Sequence, residues 1–219
     1  MIDEIKKKEI MESLRERMIK EHLIGRDITD RNVLKAMNEI PRELFIPEKY
    51  LIDAYGDHPL PIGHGQTISQ PYIVALMTQL AELTGDEKVL EIGCGSGYQA
   101  AILSKLASKV YTIERIEALA KRARSTLDSL RISNVEVIHG DGYNGHEKEA
   151  PFDAIILTAA PETIPQKLLS QLNNNGRLIA PVGDSIQELV KITRSGNQFH
   201  RETITYVRFV PMLKGAINN

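Results

Sequence analysis

The chain has 219 residues, one cysteine, no tryptophan, 27 basic and 29 acidic side chains, and a formal net charge of −2. One thiol excludes an internal disulfide framework and fits a reducing compartment. The near-balance of charge excludes a partner chosen by bulk electrostatics, such as duplex nucleic acid or an anionic membrane. A chain of this length buries about 70% of its unfolded surface without a disulfide or metal staple, so one domain over 1–219 is expected.

The first 22 residues are charged throughout, unlike a secretory leader, and no apolar run approaches the roughly 18 residues of a membrane span. A cytoplasmic location is the expectation. Ile2 to Leu23 is predicted as an amphipathic helix packed on the domain through Ile5, Ile10, Leu14, Met18 and Ile19, with Lys6–Lys8 answered by Glu4, Glu9 and Glu12. A second helix starts at Thr29 or Asp30, both good N-caps, and stops before Pro41. The stretch from Pro41 to Pro71 is too dense in proline and glycine for a helix or a long strand. It also carries Leu44, Phe45, Ile46, Tyr50, Leu51, Tyr55 and Leu60, so it is read as an ordered loop that covers something. Residues 1–71 thus form N-terminal helices and a loop, and 72–219 an α/β core.

Tyr72 to Leu83 has a helical pattern, and from there the chain alternates. Strands are predicted at 88–92, 109–113, 135–139, 152–158 and 177–182, with helices at 98–106, 116–130 and 165–172 between them. This alternation implies a doubly wound, mostly parallel α/β sheet with right-handed crossovers. Glu188–Arg194, a Ser195-Gly196-Asn197 turn and Glu202–Val210 add an antiparallel strand pair at the C-terminus.

The most informative segment is Glu91-Ile92-Gly93-Cys94-Gly95-Ser96-Gly97-Tyr98, which joins a predicted strand to a predicted helix. Glycine lets the backbone turn tightly and approach a ligand, and the helix start offers free N–H groups. The spacing departs from the dinucleotide fingerprint, because Tyr98 stands where its third glycine would fall. It lacks the lysine of a triphosphate loop, and Cys94 replaces the first glycine of a nucleophile elbow. Cys94 itself is read as a small residue that fits a crowded turn.

Three acids end the first three core strands: Glu91, Glu114 and Asp141, the last followed by Gly142. Open α/β sheets bind ligands along that carboxyl edge. A carboxylate after the second strand can accept two ribose hydroxyls, Glu91 can face an amino group, and Asp141 an exocyclic adenine amine. Such acidity repels a pyrophosphate and suits a positively charged nucleoside, S-adenosylmethionine rather than a nicotinamide dinucleotide. No metal-ligand spacing is found among the six histidines, so no metal is expected. Upstream, Gly63 to Pro71 contains Gln66, Thr67, Ile68 and Ser69, a small-residue stretch rich in hydrogen-bond donors. It suits either an anionic oxygen group or a plain helix N-cap by Ser69 with Pro71 in the first turn.

"IPRELFIPEKY", "GHGQTISQPYIVALM", "VLEIGCGSGYQAAIL", "VYTIER", "GDGYNG", "APFDAIILTAAPETIP", "GRLIAPVG" and "VRFVPML" span nearly the whole chain. In this order they closely resemble the protein-L-isoaspartate O-methyltransferases, a class I, Rossmann-like methyltransferase family with a seven-stranded sheet. The resemblance implies transfer of a methyl group from S-adenosyl-L-methionine, leaving S-adenosyl-L-homocysteine, to the free α-carboxylate of L-isoaspartyl residues in damaged proteins and peptides. It implies Ser69 as the active-site serine. It places Glu91, Gly93, Cys94, Gly95, Glu114, Asp141, Gly142 and Gln187 at the cofactor, and Gln66, Thr67, Ile68, Val207 and Val210 along the peptide. Separately, the charge balance leads to the expectation of no nucleic acid and no membrane partner, and a monomer is expected. Read without the resemblance, the glycine turn also admits a methyltransferase acting on a small molecule or RNA, or a non-catalytic cofactor-binding module. Asn144-Gly145 and Asn175-Gly176 are turn pairs of the kind that age to isoaspartate, so the protein carries potential damage sites of its own.

Overall fold

The computed structural model describes residues 2–218, with side chains from Ile5 onward. Helix α1 (Ile2–Arg17) runs on into a π-helical turn at Met18–Ile24. Ile5 and Ile10, expected on the packed face, are both exposed. The buried positions are Met11 and Met18, with Leu14 partly covered, so only the second half of the helix meets the core. Of the expected charge pairs here, Lys8–Glu12 forms at 3.8 Å, while the side chain of Glu4 lies outside the described residues. Helix α2 (Arg31–Glu39) is capped by Asp30, whose Oδ1 accepts from the N–H groups of Asn32 and Val33.

The Pro41–Pro71 stretch holds more regular structure than its composition suggests. Two 3₁₀ turns, Arg42–Phe45 and Glu48–Asp53, each follow a proline in extended conformation, a place where the missing N–H is no loss. A short antiparallel hairpin follows, β1 (Leu60–Gly63) and β2 (Gln66–Ile68). Its turn residues His64 and Gly65 take positive φ of 53° and 70°. Helix α3 (Pro71–Leu80) starts with Pro71 at its first position.

The core is one seven-stranded sheet of β3 (Lys88–Ile92), β4 (Lys109–Glu114), β5 (Val135–His139), β6 (Phe152–Leu157), β7 (Leu172–Val182), β8 (Gln187–Ser195) and β9 (Gln198–Val207). Their spatial order is β5-β4-β3-β6-β7-β8-β9. The four ladders from β5 to β7 are parallel, and β8 and β9 join antiparallel. Helices α4 (Tyr98–Leu103), α5 (Glu117–Ser129) and α6 (Gln166–Ser170) lie between the parallel strands in sequence. Two apolar layers cover the sheet. Val89, Val110, Ala154 and Ile179 contribute to one with the N-terminal helices, and Leu90, Tyr111, Ile155 and Leu178 to the other. The switch between β3 and β6 in strand order opens a crevice at the carboxyl edge.

Strand β7 starts at Leu172, five residues before its predicted start, because Leu172 already pairs with Phe152; the register shift before Arg177 takes up Asn173–Gly176, with Asn175 at a positive φ of 61°. After β9 the chain does not stop at the sheet edge. It crosses back over the carboxyl ends: Ala160 pairs with Val210 and Met212, Arg115 bonds the carbonyls of Lys214 and Gly215, and Ile217 bridges to Ile116. Nothing in the local sequence announces this strap.

Candidate active site

The strand-to-helix turn after β3 is built as its glycines require. Gly93, Gly95 and Gly97 have φ of 99°, 55° and 89°, a region that L side chains rarely enter. A Cβ on Gly93 would also lie 2.4 Å from Thr158 Oγ1. Two carboxylates frame the turn. Glu114, at the end of β4, accepts from Gly95 N at 2.8 Å and from Ile116 N at 2.9 Å. Glu91 on β3 is fully enclosed: its Oε2 accepts from the Thr112 hydroxyl at 2.5 Å, while among the described residues Oε1 has no partner. Burial, opposed by the Thr112 hydrogen bond and aided by the neighbouring Glu114, pushes the Glu91 carboxyl up to about 8. An enclosed acceptor without a donor asks for one from a ligand. Cys94 is buried, and burial holds its thiol well above the usual range, so it is no nucleophile at neutral pH.

One cavity at the carboxyl edge gathers most of the sequence-predicted residues. Gln66, Thr67, Ile68 and Ser69 enter it from β2 and the step into α3. Glu91, Gly93, Cys94, Gly95 and Glu114 form its floor, with Gly142 and Val210 in the wall. Gly142 is packed so that a Cβ would meet Ile92 Cγ2 at 2.4 Å. Ser69 is half-buried, and among the described residues its hydroxyl has no hydrogen-bond partner. The N-cap of α3 is Gln70, without a side-chain cap bond, so the helix-cap reading of Ser69 fails and its hydroxyl remains available.

Three predicted residues lie outside the wall. Asp141 uses both oxygens on backbone: Oδ1 accepts from Tyr143 N and Oδ2 from Gly215 N, each at 2.9 Å. Gln187 holds Phe209 from both sides, Oε1 accepting from its N–H at 2.6 Å and Nε2 donating to its carbonyl at 3.1 Å. Val207 closes β9 opposite Gln187. Asp141 and Gln187 therefore fasten the C-terminal strap whose residues Val210 to Leu213 line the cavity. Sequence reasoning missed Tyr98, Gln99, Thr158 and Met212 in that wall. Gln99 had a signal, since it sits in the first turn of the helix that the glycines introduce. Thr158 and Met212 arrive through long-range packing and had none. Among the described residues, no group of three or more His, Cys, Asp or Glu side chains could hold a metal ion.

A sheet of this order with an acid-framed glycine turn at its switch point defines a class I methyltransferase fold. Residues 7–216 match the family Protein-L-isoaspartate(D-aspartate) O-methyltransferase. The chain is 55% identical over 207 residues to Protein-L-isoaspartate O-methyltransferase 2 of Shewanella sediminis, covering 94% of this chain and 85% of that protein. The chain belongs to this family. Among solved structures it is similar to a protein-L-isoaspartate O-methyltransferase at TM-score 0.79 and 27% identity, covering 94% of this chain and 65% of that longer one. It is also similar to a Plasmodium falciparum protein described as a protein-L-isoaspartate O-methyltransferase, in complex with S-adenosyl-L-homocysteine. There the TM-score is 0.77 with 28% identity, covering 95% of this chain and 98% of that one.

Proposed function

We propose that this protein transfers the methyl group of S-adenosylmethionine to the free α-carboxylate of L-isoaspartyl residues in damaged proteins and peptides, which opens their repair through a succinimide. The observation that carries the reading is the meeting, in one cavity, of the unpartnered Ser69 hydroxyl and the glycine turn framed by Glu91 and Glu114. Family membership supplies the substrate class.

The residues fit the cofactor. The enclosed Oε1 of Glu91 lacks a donor, and an amino group supplies one. Gly93 and Gly95 let a ligand approach backbone, and Glu114 keeps lone pairs for ribose hydroxyls beside its two N–H contacts. Bound here, the cofactor supplies an electrophilic methyl on a positively charged sulfur. The accepting carboxylate has a reference pKa near 4 and is ionised at neutral pH. No general base is needed, and the enzyme's task is to bring oxygen and methyl carbon to about 3–3.5 Å in line. Ser69 donates to one carboxylate oxygen and so aims the other. Gln66, Thr67 and Ile68 on the hairpin and Val210 on the strap flank the peptide beside it, and Val207 sits where the strap leaves the sheet.

Asp141, Gly142 and Gln187 serve the cofactor side, Gly142 by direct approach and the other two by fixing the strap above it. The working unit is one domain, supported by the packing of Met18, Leu23, Val33 and Met37 into the same apolar layer as Val89 and Val110. A monomer in the cytoplasm, free of metal, nucleic acid and membrane, fits the net charge of −2 and the single buried thiol. No described helix is long and apolar enough to cross a membrane.

The test offers labelled cofactor together with a matched pair of peptides, one isoaspartyl and one aspartyl. Label on the isoaspartyl peptide alone is expected. Label on neither, with transfer to RNA or a small molecule instead, overturns the assignment.

A further inference from the structure

Gln99 lines the cavity from the first turn of α4 and is almost fully buried. Its amide orientation follows from the position of one proton. Thr78 is enclosed on α3, and its Oγ1 lies 2.7 Å from the Val74 carbonyl oxygen. Two oxygens at that distance need a hydrogen between them, and only the hydroxyl can supply it. Thr78 Oγ1 is left as an acceptor toward Gln99, 2.8 Å away, so the amide must present Nε2 to it. The Gln99 carbonyl oxygen Oε1 is then the amide's unengaged atom. It joins the partnerless Oε1 of Glu91 among the polar groups of the same cavity.

Two acceptors in an enclosed site suit a group with several N–H donors, and they repel a carboxylate. The cofactor's amino-acid tail carries such a group, an ammonium. The substrate's reacting end does not. We propose that Gln99, held in one orientation by Thr78, is a cofactor-contact residue that accepts from the amino group of the S-adenosylmethionine tail alongside Glu91. The inference rests on the cofactor reading above and adds a residue and an orienting partner to it. Gln99 selects for the tail, and Thr78 is its positioning residue.

The experiment measures dissociation constants by calorimetry for S-adenosylhomocysteine and for 5′-methylthioadenosine, which keeps the nucleoside and lacks the amino-acid tail. Wild type is compared with Gln99→Met, of similar length without the polar atoms, and with Thr78→Val, which removes the orienting proton without entering the cavity. Loss of a hydrogen bond to a charged group predicts that Gln99→Met weakens S-adenosylhomocysteine about tenfold or more. Methylthioadenosine should stay within about twofold. Thr78→Val should weaken the tailed ligand about threefold, since a freed amide spends part of its time turned the wrong way, again sparing methylthioadenosine. Equal weakening of both ligands would mean a packing role and overturn the proposal. So would unchanged affinity for both, or a rise confined to the peptide KM. Should Gln99→Met fail to fold, the Thr78→Val ratio decides alone. Failure of the wild type to bind S-adenosylhomocysteine overturns the cofactor reading itself, a different result from either.

Discussion

Glu91 and Thr112 stand directly opposite each other on β3 and β4, and the Thr112 hydroxyl donates to Glu91 Oε2 at 2.5 Å. This single donor does not offset the desolvation of a fully enclosed carboxyl, so the group leans neutral in the folded protein. A carboxyl raised to about 8 from an ordinary value near 4.5 binds its proton in the native state where the unfolded chain has lost it. Its contribution to stability is full below about pH 4.5 and falls as pH rises from there to about 8. Glu91→Gln removes this term. We expect the variant's thermal midpoint to fall less than the wild type's between pH 5 and 8, by an amount worth at least about 1 kcal/mol, read from melting curves across that range. A cationic cofactor should reverse the preference of Glu91, releasing a proton on binding near pH 7. Binding heats that do not vary with the ionisation enthalpy of the buffer would count against this.

Ser69→Ala should lower turnover of an isoaspartyl peptide about a hundredfold, the scale of losing one oriented donor, while S-adenosylhomocysteine affinity stays within about twofold. On the proposal that Ser69 orients the carboxylate, no covalently methylated enzyme should form. Trapping one by mass spectrometry in wild type would end the orienting model. The 41–71 segment is expected to cover the site, and Ser69, just after its hairpin, lines the cavity. Slower deuterium exchange there, on adding cofactor product and peptide, is expected if it closes.

Gly93→Ala combines two costs. Its φ of 99° strains an L residue, and the new Cβ would meet Thr158 Oγ1 at 2.4 Å. A loss of about 2–4 kcal/mol in stability is expected, together with loss of cofactor binding. Adding Thr158→Ala should relieve the contact and leave the backbone strain, restoring stability in part only. Complete restoration would show that φ at position 93 is not a constraint.

Gln187→Leu removes both side-chain bonds to Phe209, one of the fastenings of the C-terminal strap. Amide exchange in residues 208–218 should rise, and the KM for cofactor should increase with kcat nearly unchanged. Asp141→Asn should act in the same direction through Gly215 and Tyr143. An increase in exchange spread evenly over the sheet would instead indicate global destabilisation.

The two Asn-Gly pairs should age differently. Asn144 is pinned, its Oδ1 accepting from Lys167 Nζ and its carbonyl from Gln171 Nε2. Asn175 is exposed with φ of 61°, and the two asparagines before it carry the local side-chain bonds. Mass spectrometry of protein aged at mildly alkaline pH should find deamidation at Asn175 before Asn144. The reverse order would show that local hydrogen bonding does not control the rate here.

The elements of the parallel core were legible to within a few residues because strand–helix alternation is a local signal. The glycine turn and the acids Glu91 and Glu114 were legible for the same reason: backbone at positive φ and charge at a strand end are written residue by residue. The 41–71 segment was less so. Its prolines suppress long elements yet start 3₁₀ turns at Arg42 and Glu48, a distinction that depends on what packs behind them. Ile5 and Ile10 kept the helical period but found no surface to cover.

By itself the sequence determined the fold class, the glycine turn and the chain's place in its family, since each depends on local pattern and on motif order. Only the tertiary structure decided what several of those residues do. Asp141 and Gln187 turned to backbone 74 and 22 residues away, Ser69 was left uncapped, and Gln99 took its orientation from a hydroxyl on another helix. Hydrogen bonds between distant segments exist only once the sheet has set those segments side by side, and periodicity along the chain carries no record of them.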